Sequence, residues 1–149
     1  MAIEGGGTGA GDRIVTETAN APGPRRRVSS GGPWEARYGY SRAIVVGDTC
    51  YVSGTTDAGP DGRSRNPGDP AGQARAIFGI IEQALADAGF SLAQVVRTRI
   101  FVTDRAHIER VGEVQGEVLG HVRPASTAVV VAALIEPSLL VEIEVEAYA

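Results

Sequence analysis

From residue 139 the chain reads LLVEIEVEAYA, with Val141, Ile143, Val145 and Ala147 alternating with Glu142, Glu144 and Glu146. A period of two belongs to a β-strand, so the alternation predicts a strand with one apolar face and one acidic face. Further back, RAIVV (42–46) and TCYVSG (49–54) are β-rich runs joined by Gly47-Asp48, a strong hairpin signal. The stretch 55–72, rich in Gly, Pro and Asp, reads as a loop. The apolar spacing then changes. Ala74, Ile77, Ile81, Ala84, Leu85 and Ala88 form one stripe of a helix, with Asp69 as N-cap, Pro70 at the first helical position and Gly89 as the stop. LAQVVRTRIFVTD (92–104) returns to strand spacing, with Val96, Thr98, Ile100 and Val102 opposing Arg97, Arg99 and Phe101. Asp104 is placed to cap a second helix carrying Ile108, Val111, Val114, Val118 and Leu119. STAVVVAAL (126–134) reads as a strand apolar on both faces.

These elements give the order ββαβαββ, an α+β two-layer sandwich with a mixed sheet and two helices on one face. Two helices cover one face of the sheet, yet the strand at 126–134 offers apolar side chains to both. No third layer remains in the sequence, so another subunit is the simplest cover, and a homo-oligomer is expected. Residues 1–32 lack this periodicity; they hold APGPRRR (21–27) and SSGG (29–32) and read as a flexible N-terminal arm before a domain over 33–149. The RRR at 25–27 fits either an anion grip or a solvated basic tether.

Composition narrows the function classes. At 149 residues, 43% hydrophobic and 21% charged, the chain suits one soluble domain. A net charge of −4 supplies no basic field, which argues against a nucleic-acid partner. The absence of a bilayer-length apolar run argues against a membrane span. The start MAIEGGGTGAGDR has neither the basic nor the apolar stretch of a signal peptide, and with Cys50 the lone cysteine a cytoplasmic address is expected. Two histidines and one cysteine form no ligand cluster, so no metal is expected.

Three features are candidates for chemistry. Glu142, Glu144 and Glu146 are either a wet strand face or, beside a strand apolar on both faces, carboxylates at a subunit edge whose desolvation raises their pKa toward that of a general base or acid. The two readings stand level. GYSR (39–42) offers the Tyr40 hydroxyl and ring, against plain packing. HVRPAST (121–127) offers Arg123, either as a two-pronged carboxylate clamp or as one half of an interface ion pair. His121 has no triad partner at a suggestive spacing.

In this order, GYSRAIVVGDTCYVSGTT (39–56), VVRTRIFVTD (95–104), RPASTAVVVAAL (123–134) and LVEIEVEA (140–147) resemble the RidA/YjgF family over residues 34–149. The resemblance implies a chorismate-mutase-like fold whose three subunits close their sheets into a central β-barrel, a homotrimer with small-molecule clefts between adjacent subunits. It implies an enamine/imine deaminase, a hydrolase needing no cofactor, whose products are a 2-oxo acid and ammonia. Tyr40 matches the family's cleft tyrosine, Ser53 and Gly54 its serine–glycine pair, and Glu142 the carboxylate that holds the attacking water.

Position 126 departs from the pattern. Deaminating members carry an arginine there to bind the substrate carboxylate, and this chain has Ser126. Loss of such a charge-assisted hydrogen bond, worth ~1.5–3 kcal/mol, weakens a 2-imino acid's binding roughly ten- to a hundred-fold. Arg42, two residues beyond Tyr40, and Arg123 are the candidate replacements. The alternatives are a non-catalytic metabolite-binding or partner-regulating homologue, and a specialised biosynthetic enzyme acting on a bulkier imine.

Overall fold

The computed structural model describes Ile14–Val15 and residues 24–149. The elements run β1 (Ile14–Val15), β2 (Arg25–Val28), α1 (Pro33–Tyr38), β3 (Ala43–Val46), β4 (Thr49–Thr55), α2 (Pro70–Asp87), β5 (Val95–Val102), α3 (His107–Leu119), β6 (Ala125–Val130) and β7 (Val141–Tyr148). The strands form one mixed sheet in the order β1-β2-β3-β4-β7-β5-β6, antiparallel throughout except for the parallel β5–β6 pair at one edge. The α+β architecture matches the expectation, with one helix and two strands added at its start.

The apolar stripe of β7 faces the helices. Val141, Ile143, Val145 and Ala147 are buried against Ile77, Ile81 and Leu85 of α2 and Val111, Val114 and Leu119 of α3 in one core. At ~25 cal/mol per Å² of apolar surface removed from water, this layer is the main stabilising contribution. The caps of α2 follow its sequence. The Asp69 carboxylate accepts the Gly72 N–H at 2.9 Å, a cap worth about 1 kcal/mol. At the other end Gly89 takes φ +79°, and the Phe90 N–H reaches back to the Leu85 carbonyl at 2.8 Å.

Several expectations shift. Residues 25–28, placed in the flexible arm, instead form β2 and pair with β3 from Arg25↔Val46 to Val28↔Ala43. Tertiary contacts compensate for a sequence poor in apolar residues: Val28 is buried in the core, and Arg26 donates to the carbonyls of Asp87 and Ala88 at the end of α2. Guanidinium charge is favoured at a helix C-terminus. Residues 1–13 and 16–23 of the expected arm lie outside the described residues. Asp104 does not cap α3; the N-cap is Ala106, whose N–H the Asp104 carboxylate accepts at 2.8 Å. A register shift between Val95 and Arg97 turns Val95 inward and leaves Val96 exposed, reversing the face expected for Val96. The strand expected over 126–134 stops at Val130, and all six residues of β6 are exposed.

Candidate functional site

The acidic side of β7 faces away from the helices, and its three glutamates are treated differently. Arg99 projects from β5 onto this open face and donates to Glu144 at 3.0 Å and to Glu146 at 2.8 Å. Glu142 is half-buried and, among the described residues, neither hydrogen-bonded nor ion-paired. Burial raises its pKa, opposed by the nearby Arg42 guanidinium and reinforced by Glu144. A carboxylate held in this way keeps both oxygens available to bind and deprotonate water.

A bulge in β4 places its neighbours. Val52 pairs with Val145 and Thr55 with Ile143, so three steps on β4 match two on β7. The carbonyls of Ser53 and Gly54, at the bulge, both accept from Arg42 Nη2, the latter at 2.9 Å. The Ser53 hydroxyl donates to the Ser41 carbonyl at 2.7 Å. Gly54 is required here by close approach: a Cβ at this position would stand 2.1 Å from Glu142 Oε1. Burial lowers the Arg42 pKa, against the raising influence of Tyr40, Glu35 and Glu142. Arg42 Nε is buried without a partner among the described residues.

Beside this cluster an open hollow of about 440 Å³ lies on the same face, lined among others by Tyr40, Ser53, Tyr51, Arg27, Arg99 and Glu146. Helix α1 leads into its wall at Gly39 and Tyr40. Glu35 accepts from Ser29 Oγ at 2.6 Å and from the Ser30 N–H at 2.9 Å. Burial pushes the Glu35 carboxyl up, but these bonds outweigh it and hold it below the usual carboxylate range. Gly39, at φ +71°, then turns the chain out of the helix toward Tyr40.

The structure therefore brings Arg42, Ser53, Gly54 and Glu142 together, with Tyr40 on the adjoining hollow. It does not bring Arg123 or Ser126 to them within one chain. Ser126 turns to the helix-covered side, where Thr98 Oγ1 lies 2.8 Å from Ser126 Oγ and donates to Gln115 Oε1 at 2.8 Å. Arg123 precedes β6 rather than lying in it. It takes φ +53°, a left-handed value no other described non-glycine residue adopts, and its N–H donates to the Leu119 carbonyl at 2.9 Å. Sequence reasoning missed Tyr51 as a lining residue and read Arg27 only within the RRR run, as an anion grip or a basic tether, without a place in the fold. Tyr51 was within reach, because it alternates with the apolar Cys50 and Val52. Arg27 was hidden in a segment without periodicity.

Fold and site together define a small α+β protein with a seven-strand sheet, helices on one face and a carboxylate-bearing open face. The family model described as Endoribonuclease L-PSP matches residues 33–149. A crystal structure of a Mycobacterium tuberculosis member of the YjgF/YER057c/UK114 family is 47% identical, with a TM-score of 0.76 over 84% of this chain and 99% of that one. RidA from a Psychrobacter species is 35% identical, with a TM-score of 0.67 over 74% of this chain and 88% of that one. An uncharacterised Streptomyces coelicolor protein is 39% identical over 83% of this chain and 91% of its own length. The chain belongs to the RidA/YjgF family.

Proposed function

We propose that this protein is a RidA-like enzyme that hydrolyses a small enamine or imine in clefts between the subunits of a homotrimer. The observation that carries this reading is Glu142, a half-buried carboxylate without a hydrogen-bond partner, held against Gly54 and beside Arg42. In the reaction an enamine first takes a proton from solvent at carbon to become a protonated imine. Water, losing a proton to Glu142, bonds through oxygen to the imine carbon while the C=N electron pair moves to nitrogen. Glu142 then returns that proton to the carbinolamine nitrogen, the hydroxyl gives its own proton to solvent, and the C–N bond breaks to leave a carbonyl compound and ammonia. A protonated imine is electrophilic enough for placement of the water and exclusion of bulk solvent to supply most of the catalysis.

Exposure of all six β6 residues, with Val129 and Val130 among them, supports a partner subunit at that edge. No described helix is long and apolar enough to cross a membrane, and we place the enzyme in the cytoplasm.

The test couples the protein to an amino-acid dehydratase that releases 2-aminoacrylate. Addition should speed the appearance of pyruvate, and Glu142→Gln should abolish the effect without changing the size of the assembly. No acceleration at equimolar protein would rule the deaminase reading out. A second reading is favoured by Ser126, whose hydroxyl is taken up by Thr98 and Gln115. In that reading the cleft binds a metabolite without turning it over, and the same assay separates the two.

A further inference from the structure

We propose that Arg42 is the positioning residue of this site: its guanidinium pins the β4 bulge against Glu142 and supplies the positive charge that this carboxylate faces. The inference rests on the reading of Glu142 as the base that activates water. It also takes Arg42 out of the role of a ligand clamp.

Arg42 stands just before β3, where its carbonyl accepts the Ser53 N–H at 3.0 Å. On the other side of β4, register with β7 breaks between Val52 and Thr55. A bulge takes backbone groups out of the ladder, and those groups need other partners. The two carbonyls inside this break, of Ser53 and Gly54, find theirs in a single nitrogen, Arg42 Nη2. Glu142 Oε1 lies close over Gly54, so any movement of the bulge moves the floor under the carboxylate. The Nε–Nη2 edge, which could grip a ligand carboxylate in two prongs, is closed. Nη2 is held by the carbonyls and Nε is buried.

The charge has a second use. Two carbonyls can be bridged by a neutral donor, without the desolvation cost of a partly buried guanidinium. Burial does lower the Arg42 pKa, and Glu142 is among the groups that oppose the change. The other elements around Glu142 do not duplicate this cation. On β5 the residue opposite Glu142 is the uncharged Phe101, and β4 brings Gly54 against it. Arg99 is tied to Glu144 and Glu146, and Arg97 pairs in register with Glu146, at the far end of the acidic row. Glu144, on the same face of β7, disfavours charge on Glu142. Tyr40 and, from α1, Glu35 act on Arg42 itself, with Glu35 held by Ser29 and Ser30. Arg42 therefore keeps Glu142 in the charged form that can take a proton from water.

The experiment titrates the Glu142 carboxyl by carbon-detected NMR in the full-length protein, with Glu142→Gln to assign its signal, and reads turnover in the dehydratase-coupled assay. Arg42→Gln removes the charge. It should move the Glu142 midpoint upward by on the order of one pH unit and lower turnover roughly ten- to a hundred-fold. Arg42→Lys keeps the charge and loses the planar fork, so the midpoint should stay near that of wild type while turnover falls roughly ten-fold. A midpoint left in place by Arg42→Gln would overturn the proposal, as would wild-type turnover in Arg42→Lys. If Arg42→Gln does not fold, the turnover of the milder lysine variant still decides. A displaced midpoint with no pyruvate released by any form, wild type included, would sustain this inference while the deaminase reading fails. Release by wild type that Arg42→Gln leaves at full rate would do the reverse.

Discussion

β7 presents two faces built from the same eight residues, and they obey different physics. Val141, Ile143, Val145 and Ala147 meet two helices and are closed to water. Glu142, Glu144 and Glu146 look onto an open face with no layer above it among the described residues. The acidic face divides again. Glu144 and Glu146 are tied to Arg99, whereas Glu142 leans on a glycine and faces Arg42 at a distance. The closed face is organised to be stable, and the open face leaves Glu142 without a hydrogen-bond partner among the described residues. Charge that is free to meet a ligand is charge that the fold has left unsatisfied.

The largest expected effect lies on the closed face. Ile143→Ala, at a fully buried position between Thr55 and Ile100, should cost ~2–5 kcal/mol, read by denaturant unfolding. Turnover by the fraction that remains folded should be little changed. A large loss of turnover with little loss of stability would erase the distinction between the faces.

Gly54→Ala should do the opposite. The three atoms nearest the added methyl all belong to the Glu142 side chain, so the carboxylate gives way before the backbone does. A displacement of about 1 Å costs on the order of a hundred-fold in turnover, with an unfolding midpoint close to wild type. Retained turnover would remove Glu142 from the chemistry.

The smallest effect concerns pH. Burial raises the Glu142 pKa in the folded chain. Its contribution to stability is therefore fully present below the unfolded pKa and is lost as pH rises through the folded one. Charged Glu142 burdens the fold at neutral pH, and Glu142→Gln should raise the melting temperature at about pH 7 and lose that advantage by about pH 4. A melting temperature lower than wild type at neutral pH would show that attraction to Arg42 outweighs burial.

Much of the closed face was legible in the sequence. Alternation in β7, the Asp69-Pro70 start and Gly89 stop of α2, and the Gly47-Asp48 hairpin are local signals, and each appears where expected. What escaped was set by contacts between distant residues. Arg25–Val28 has no strand-like composition, and β2 forms because β3 pairs with it and Arg26 finds the end of α2. A register shift at Val95–Arg97 reverses the local alternation, which no count of residues anticipates. On the open face, Glu142 could be singled out from its two sisters only by resemblance to a family. Alternation put all three on one side; Arg99 and Gly54 distinguish them, and both act from other strands.

The parallel edge at β6 has a consequence beyond the cleft. Six exposed residues, ASTAVV, present an uncharged row with no proline inside it, and one side of its backbone has no neighbouring strand within the described chain. Such an edge is a template for fibril growth if chains meet without a defined partner. If a partner subunit covers β6 as proposed, a mutation that strips it away should show itself first as turbidity rather than as unfolding.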